Sequence, residues 1–269
     1  MSRQFPQELV DEVIDNLDSS RDLRACSLVS STWLERSRRK LFAKVFLNTW
    51  NFDKWRRNIP PGPNGISAYV HSLTLRQARS IVSLEPETLM TIMDHLTSFR
   101  RLKTLVLQDV NFDDLFDGPS LTECFGHFGA SVDSLSLHGI RTDTSTLLFF
   151  VNLFPGLNCL TISSPILSDE VAELPEGVLR GTLRLSYLGA QSDTLLNGIL
   201  LIPLQLEDIS ITRSQVADPE ILNRFIETCA PTLKKLELIH VTSGAQYSDC
   251  VWAASLMITR QVTTGTTFL

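Results

Sequence analysis

"RLKTLVL" (101–107) decides how most of the chain is read. Leu102, Leu105 and Leu107 stand in the spacing L-x-x-L-x-L, and the last two are an apolar pair at spacing two, flanked by Thr104 and Gln108. Such alternation over a short run marks a strand with one buried face. The pattern recurs in "VHSLTL" (70–75), "SVDSLSL" (131–137), "GLNCLTI" (156–162), "RGTLRLS" (180–186), "QLEDISI" (205–211) and "TLKKLEL" (232–238). Aligned on the pair at spacing two, these give Leu73/Leu75, Leu105/Leu107, Leu135/Leu137, Leu160/Ile162, Leu183/Leu185, Ile209/Ile211 and Leu236/Leu238. Successive pairs are 32, 30, 25, 23, 26 and 27 residues apart, which defines an internal repeat.

Between the strands lie segments with helical spacing, such as Leu89, Ile92, Met93, Leu96 and Phe99, or Ile221, Leu222, Phe225 and Ile226. Strand, loop and helix stacked unit upon unit build a curved solenoid with a parallel sheet on its inner face. The fold class expected is therefore α/β, with about seven units over 70–243.

These units resemble leucine-rich repeats. The family places Asn or Cys three residues after the last Leu, whereas this chain has Val110, Ile140, Pro165 and Val241. Without that side chain the usual ladder beneath the loops is expected to be missing and the array irregular. The fifth unit also places Arg180 where the first apolar residue of the pattern belongs.

Ahead of the array, "NIPPGPNGIS" (58–67) has the Pro and Gly content of a turn or hinge, and 48–69 is read as a linker. After it, 244–269 loses the repeat and ends as an irregular, Thr-rich tail. Solenoids need terminal caps, so the last unit is expected to be poorly protected or the chain shortened.

Residues 1–47 read as three short helices. Pro6 suits a first helical position, and Glu8, Asp11 and Glu12 favour the positive end of the helix they open. At 100° per residue, Phe5, Pro6, Leu9, Val10, Val13, Ile14 and Leu17 cover an arc of about 180°, more than one core contact requires. "SSRD" (19–22) and "TWLE" (32–35) both fit a capping box. Leu23, Cys26, Leu28 and Val29 then form the second apolar set, and Trp33, Leu34, Leu41 and Phe42 the third. So small a module usually needs metal, disulfide or a partner, and a partner is the economical reading.

"FPQELVDEVIDNLDSSRDLRACSLVSSTW" (5–33) resembles an F-box, with an apolar-Pro start, Leu9, Val13/Ile14, Leu17, Asp22-Leu23, Val29 and Trp33. Phe5 stands where Leu is commoner, and Ser30 where Cys often follows the Val. The resemblance implies a fold of a three-helix F-box followed by an irregular leucine-rich-repeat-like solenoid. It also implies a function: the substrate-recognition subunit of a cullin-based ubiquitin ligase, whose head docks on a Skp-type adaptor while the solenoid holds a protein substrate. Carried over by position, the adaptor contacts are Phe5, Pro6, Leu9, Val13, Leu17, Leu23, Cys26, Val29 and Trp33. The competing reading is a solenoid scaffold or binding protein in which these residues only build a structural cap.

Composition narrows the alternatives. The formal net charge is −6, whereas nucleic-acid binding needs an excess of basic residues, so no nucleic-acid partner is expected. Residues 1–47 carry eight Lys/Arg against seven Asp/Glu, and the acidic surplus lies in the remainder. "RSRRK" (36–40) reads as a solvated helix face. Five dispersed cysteines without a C-x-x-C pair indicate neither disulfide framework nor zinc site. The five histidines lack ligand spacing, and the nucleophile-elbow, dinucleotide and P-loop motifs are missing. No catalytic residue, metal or cofactor is expected, and the chain is not read as an enzyme. The longest apolar runs are too short to span a membrane, and the acidic start is wrong for a signal peptide. Those features place the protein in the cytoplasm, the nucleus or both.

Substrate contacts, where the solenoid makes them, come from outward residues between the buried leucines. One row reads Thr74, Val106, Ser136, Thr161, Arg184, Ser210 and Glu237; the next reads Arg76, Gln108, His138, Ser163, Ser186, Thr212 and Ile239. Arg76, Gln108, His138, Arg184 and Glu237 are the candidates for substrate binding.

Overall fold

A computed structural model of the chain describes residues 6–48, 50–58, 65–77, 99, 101–112, 125, 129–168, 177–243 and 258–259. The protein is α/β with a mostly parallel sheet. It divides into two compact units, one of residues 1–108 with 118–132 and the other of 109–117 with 133–269.

The first unit opens with helices α1 (Gln7–Asp15), α2 (Ser20–Cys26) and α3 (Ser31–Phe42). Val10, Ile14 and Leu23 are buried together, with Leu17, Trp33 and Leu41 packed against them. Pro6 sits one place outside α1, where its carbonyl accepts from the amides of Leu9 and Val10 at 3.2 and 3.3 Å. The N-cap half of the first expected capping box forms, since Ser19 accepts from the Asp22 amide at 3.4 Å. The second does not. α3 begins at Ser31, so Thr32 lies inside the first turn, where its hydroxyl is 2.7 Å from that of Ser30, and Glu35 turns to Arg39 instead.

Strands β1 (Lys44–Asn48), β2 (Ser72–Arg76) and β3 (Thr104–Gln108) follow, paired in parallel and in register. β1 was not anticipated. Its buried Val45 and Leu47 repeat the spacing-two pair one repeat length, 28 residues, before Leu73 and Leu75. The interval 48–69 is more ordered than a linker: it holds helix α4 (Phe52–Asn58), with Phe52 buried, and a 3-10 turn at Ile66–Tyr69. Trp55 sits edge-on to both Phe42 and Phe99, at 6.5 and 6.4 Å between ring centres. The Pro-rich residues 59–64, and the helical spacing at Leu89–Leu96, lie outside the described residues.

In the second unit the parallel order is β4 (Ser134–His138), β6 (Cys159–Ser163), β8 (Leu179–Ser186), β9 (Leu204–Thr212) and β11 (Lys235–Ile239). The short β13 (Ile258–Thr259) adds on antiparallel to β11, and the rest of the 244–269 tail lies outside the described residues. Of the fourteen paired Leu/Ile positions, all but Leu238 are buried. β13 meets β11 only at Lys235 and Leu236, so among the described residues nothing flanks Leu238 on that side. Helices α5 (Thr144–Asn152), α6 (Ser192–Leu200) and α7 (Pro219–Cys229) back the strands. Each buries a stripe, such as Leu195, Leu196 and Ile199 in α6. Phe150 fills the interior between Phe112 and Phe154, at 4.9 and 5.2 Å.

The loops keep a ladder, contrary to expectation, but build it from backbone. Val110 and Ile140 are buried, and their carbonyls accept from the amides of Arg141 and Ile166 at 2.9 and 2.7 Å. That starts a second small parallel sheet of β5 (Arg141–Asp143) and β7 (Ile166–Ser168), with β10 (Gln215–Val216) and β12 (Thr242–Ser243) paired in the same way further on. The Gln191 side chain stands in for a strand beside β7: it takes the Leu167 amide at 2.7 Å and gives to the Leu167 carbonyl at 3.0 Å.

The Arg180 irregularity is resolved one residue earlier. Leu179 supplies the buried side chain, and the register shifts between Gly181 and Thr182. Gly181 has φ +75°, and a Cβ there would lie 2.3 Å from the Asn158 carbonyl oxygen. Gly181→Ala is therefore expected to lose about 2 kcal/mol or more in urea unfolding, because backbone cannot step aside. Gly189→Ala is the comparator: φ is +57° but nothing lies within 4 Å, so only the left-handed cost of about 1 kcal/mol is expected. Equal losses would show that the close approach is not what demands glycine at 181.

Candidate functional site

Two surfaces stand out, one on each unit. On α1 the half-cylinder of apolar residues is split. Val10 and Ile14 face the interior, while Leu9 and Val13 remain 48% and 49% exposed, one turn apart on the outer face. Nearby in sequence, the turn after α2 exposes Leu28 (87%) and Val29 (64%). Isolated exposed apolar residues need no explanation, but four on so small a module do.

The remaining adaptor candidates fall elsewhere. Leu23 is spent on the interior; Leu17 and Trp33 are half-buried and packed on the core; Cys26 is half-buried and Pro6 exposed. Phe5 lies outside the described residues. Leu28, the most exposed large apolar residue among the described residues of the head, was legible only as a member of the second helix's apolar set.

Charge holds the helices in register. Arg36 donates through Nε to Asp15 Oδ1 at 2.9 Å and through Nη2 to Oδ2. Lys40 donates to the Asp15 carbonyl and lies 3.8 Å from Asp18, and Arg39 pairs with Glu35. "RSRRK" is thus an internal brace as well as a solvated face. The cleft between α1 and α3 is polar, lined by Gln7, Asp11, Thr32, Glu35, Arg36 and Arg39, and offers an apolar partner nothing. The Arg36 hydrogen bond, more than its charge, holds the Asp15 carboxyl below its ordinary value, and Lys40 adds to the effect.

The second surface is the outward face of the second unit's strands. Arg184, Ser210 and Glu237 lie side by side in one register row, and His138, Ser163, Ser186, Thr212 and Ile239 in the next. Arg184 is exposed, while His138 and Glu237 are half-buried. Burial pushes the His138 imidazole down, against the pull of Asp109. In the first unit, Arg76 (exposed) and Gln108 (half-buried) are register partners. Phe46, exposed on β1, lies in a row with Thr74 and Val106.

Sequence reasoning missed a third row. Directly after β3, β4, β6, β8, β9 and β11 come Asp109, Gly139, Ser164, Tyr187, Arg213 and His240, all with φ between 49° and 61°. Except at His240, each amide donates to the last carbonyl of the following strand, from Asp109 to His138 at 2.8 Å through Arg213 to Ile239 at 2.8 Å. Gly, Asp and His enter this left-handed region more readily than other residues, whereas Ser, Tyr and Arg are uncommon there. The Arg213 guanidinium lies 5.5 Å from the centre of the exposed Tyr187 ring and donates to its hydroxyl.

Among the described residues no group of His, Cys, Asp and Glu is arranged to hold a metal, and no helix is long and apolar enough to cross a membrane. Burial lifts the Cys229 thiol to about 11. It is therefore protonated at neutral pH, which argues against a nucleophilic role. No family model matches the chain, and no curated protein matches it.

Because the folded Asp15 value is depressed, its contribution to stability is fully present above the ordinary carboxylate value of about 3.9. That contribution is lost as pH falls through the lower folded value. A carbon-13 NMR titration of Asp15 should show the depressed midpoint in the wild type and its return towards the ordinary value in Arg36→Ala. An unchanged midpoint would mean that Arg36 does not brace α1.

Proposed function

We propose that this chain is the substrate-recognition subunit of a Skp-cullin-F-box ubiquitin ligase, its three N-terminal helices forming the F-box and its strands a leucine-rich-repeat-like substrate receptor. One observation carries this reading: Leu9 and Val13 stay exposed on α1 although Val10 and Ile14 satisfy the head's own interior. A helix presenting apolar residues at i and i+4 is suited to a partner's groove, and Leu28 and Val29, exposed on the turn after α2, are further apolar side chains left for a partner. The adaptor contacts proposed are Leu9, Val13, Leu28 and Val29, together with the accessible parts of Pro6, Cys26, Leu17 and Trp33. Through the adaptor the chain would reach a cullin. The transfer chemistry would belong to other subunits, and this chain would supply proximity and orientation.

A second reading, a scaffold whose N-terminal helices are a structural cap without any link to ubiquitin, draws on the inward packing of Leu17, Leu23 and Trp33. The two separate in a pulldown with purified Skp-type adaptor. Wild type is expected to bind, and a Leu9→Asp, Val13→Asp double variant to lose about 3 kcal/mol, roughly a hundredfold, because charge is forced into an apolar contact. Both substituted positions are half exposed, so the variant should keep its helical circular dichroism. Failure of the wild type to bind removes the ligase reading, and equal binding by both proteins moves the contact off α1.

A further inference from the structure

The outward face of β8, β9 and β11 has a sign of charge opposite to that of the whole chain. Against a net charge of −6, the strand residues and the left-handed row place Arg180, Arg184, Arg213 and Lys235 together with Glu207, Asp208 and Glu237, and Glu207 is paired with Lys234 just ahead of β11. Of the other two acids, Glu237 lies 3.9 Å from Lys235, which is also the register partner of Asp208, so the face keeps a small basic surplus. Arg184 is exposed and has no ion-pair partner among the described residues. Its neighbours across the sheet and one row on, Ser210, Ser186 and Thr212, are small and hydroxylated, leaving its surroundings open.

Arg213 is different in being held. Its backbone amide donates a hydrogen bond to the Ile239 carbonyl from the left-handed region, and its guanidinium is seated against the Tyr187 ring and hydroxyl. A cation–π seat leaves the remaining guanidinium N–H groups free for a planar acceptor. Holding the side chain beforehand also lowers the ordering cost of binding. Tyr and Arg occupy backbone positions where glycine would be cheaper, so packing alone gives no reason for them.

We propose that this face binds an acidic polypeptide segment, with Arg184 and Arg213 receiving its carboxylates and Tyr187 positioning Arg213. The proposal rests on the reading of the strands as a substrate receptor and supplies the chemical class of the substrate. Guanidinium groups pair with carboxylates through two parallel hydrogen bonds, and the surplus charge would speed encounter with an acidic segment. The charge of the whole chain disfavours a polyanion as long as a nucleic acid.

The test uses the full chain and a fluorescein-labelled octaglutamate peptide, read by fluorescence anisotropy, with octalysine and an oligothymidylate of equal length as comparators. Octaglutamate is expected to bind, and to bind less tightly as salt is raised. Arg184→Ala and Arg213→Ala should each weaken it by about tenfold, the usual effect of losing a charge-assisted contact. Tyr187→Ala should weaken it less than Arg213→Ala, because the guanidinium survives but loses its seat. Arg224→Ala on α7, where Arg224 donates to Asn197 at 2.7 Å, should leave binding unchanged. No binding to octaglutamate, binding by the Arg184→Ala and Arg213→Ala variants as tight as that of the wild type, or tighter binding of the oligothymidylate would overturn the proposal. Adaptor capture, measured on the same preparations, depends on Leu9 and Val13 instead. Peptide binding without adaptor capture would leave this site standing and remove the ligase reading, and adaptor capture without peptide binding would do the reverse.

Discussion

No strand of this protein is complete alone. A single repeat buries neither its leucines nor its backbone, so each strand must meet the next in parallel and in register before either is satisfied. In-register pairing fixes the height at which the chain leaves every strand, and the exits in the second unit are alike for that reason. One left-handed residue turns the chain and extends the ladder by one more hydrogen bond, from Asp109 through Arg213. Left-handed backbone costs a non-glycine residue about 1–2 kcal/mol. Asp109, Gly139 and His240 suit that constraint, whereas Ser164, Tyr187 and Arg213 do not. The last three are therefore the residues on this ridge whose identity the backbone leaves unexplained.

The three N-terminal helices follow a different economy. Their interior is small: Val10, Ile14 and Leu23, with Leu17, Trp33 and Leu41 against them. The ion pairs from α3 to the end of α1 are exposed, and such pairs add little stability singly, but both Arg36 and Lys40 converge on Asp15 and so set how α1 lies on α3. That placement decides which half of the α1 apolar arc turns inward. With Val10 and Ile14 committed, Leu9 and Val13 necessarily face out.

The strands of the array were legible because their signal is redundant: the same spacing-two pair of Leu or Ile occurs seven times, and thirteen of those fourteen side chains are buried. β1 escaped notice although Val45 and Leu47 keep the period. Its pair uses a Val, its outward residue is Phe46, and no L-x-x-L precedes it. α4 was hidden by its proximity to the Pro-rich run. The left-handed row leaves no single-sequence trace except at Gly139, since only glycine advertises a positive φ, and the other five positions follow from register. For the helical head the apolar arc was readable, but its division into inner and outer halves was not. That division depends on which helix crosses it, and the Asp15–Arg36 pair linking residues 21 apart is a tertiary fact.

What repeats in this chain and what does not repeat have different causes. The inward pairs repeat because packing admits few alternatives to Leu and Ile at those depths. Outward residues face no such demand, and they vary. In the first unit one row runs Phe46, Thr74, Val106, and in the second one runs Ser136, Thr161, Arg184, Ser210, Glu237. Solubility alone would be served by any polar residues there, and an acidic chain would serve it as well with more acids. Basic and aromatic side chains gathered where the backbone charges extra for them are not explained by packing or by solubility. Recognition of something acidic accounts for both departures at once.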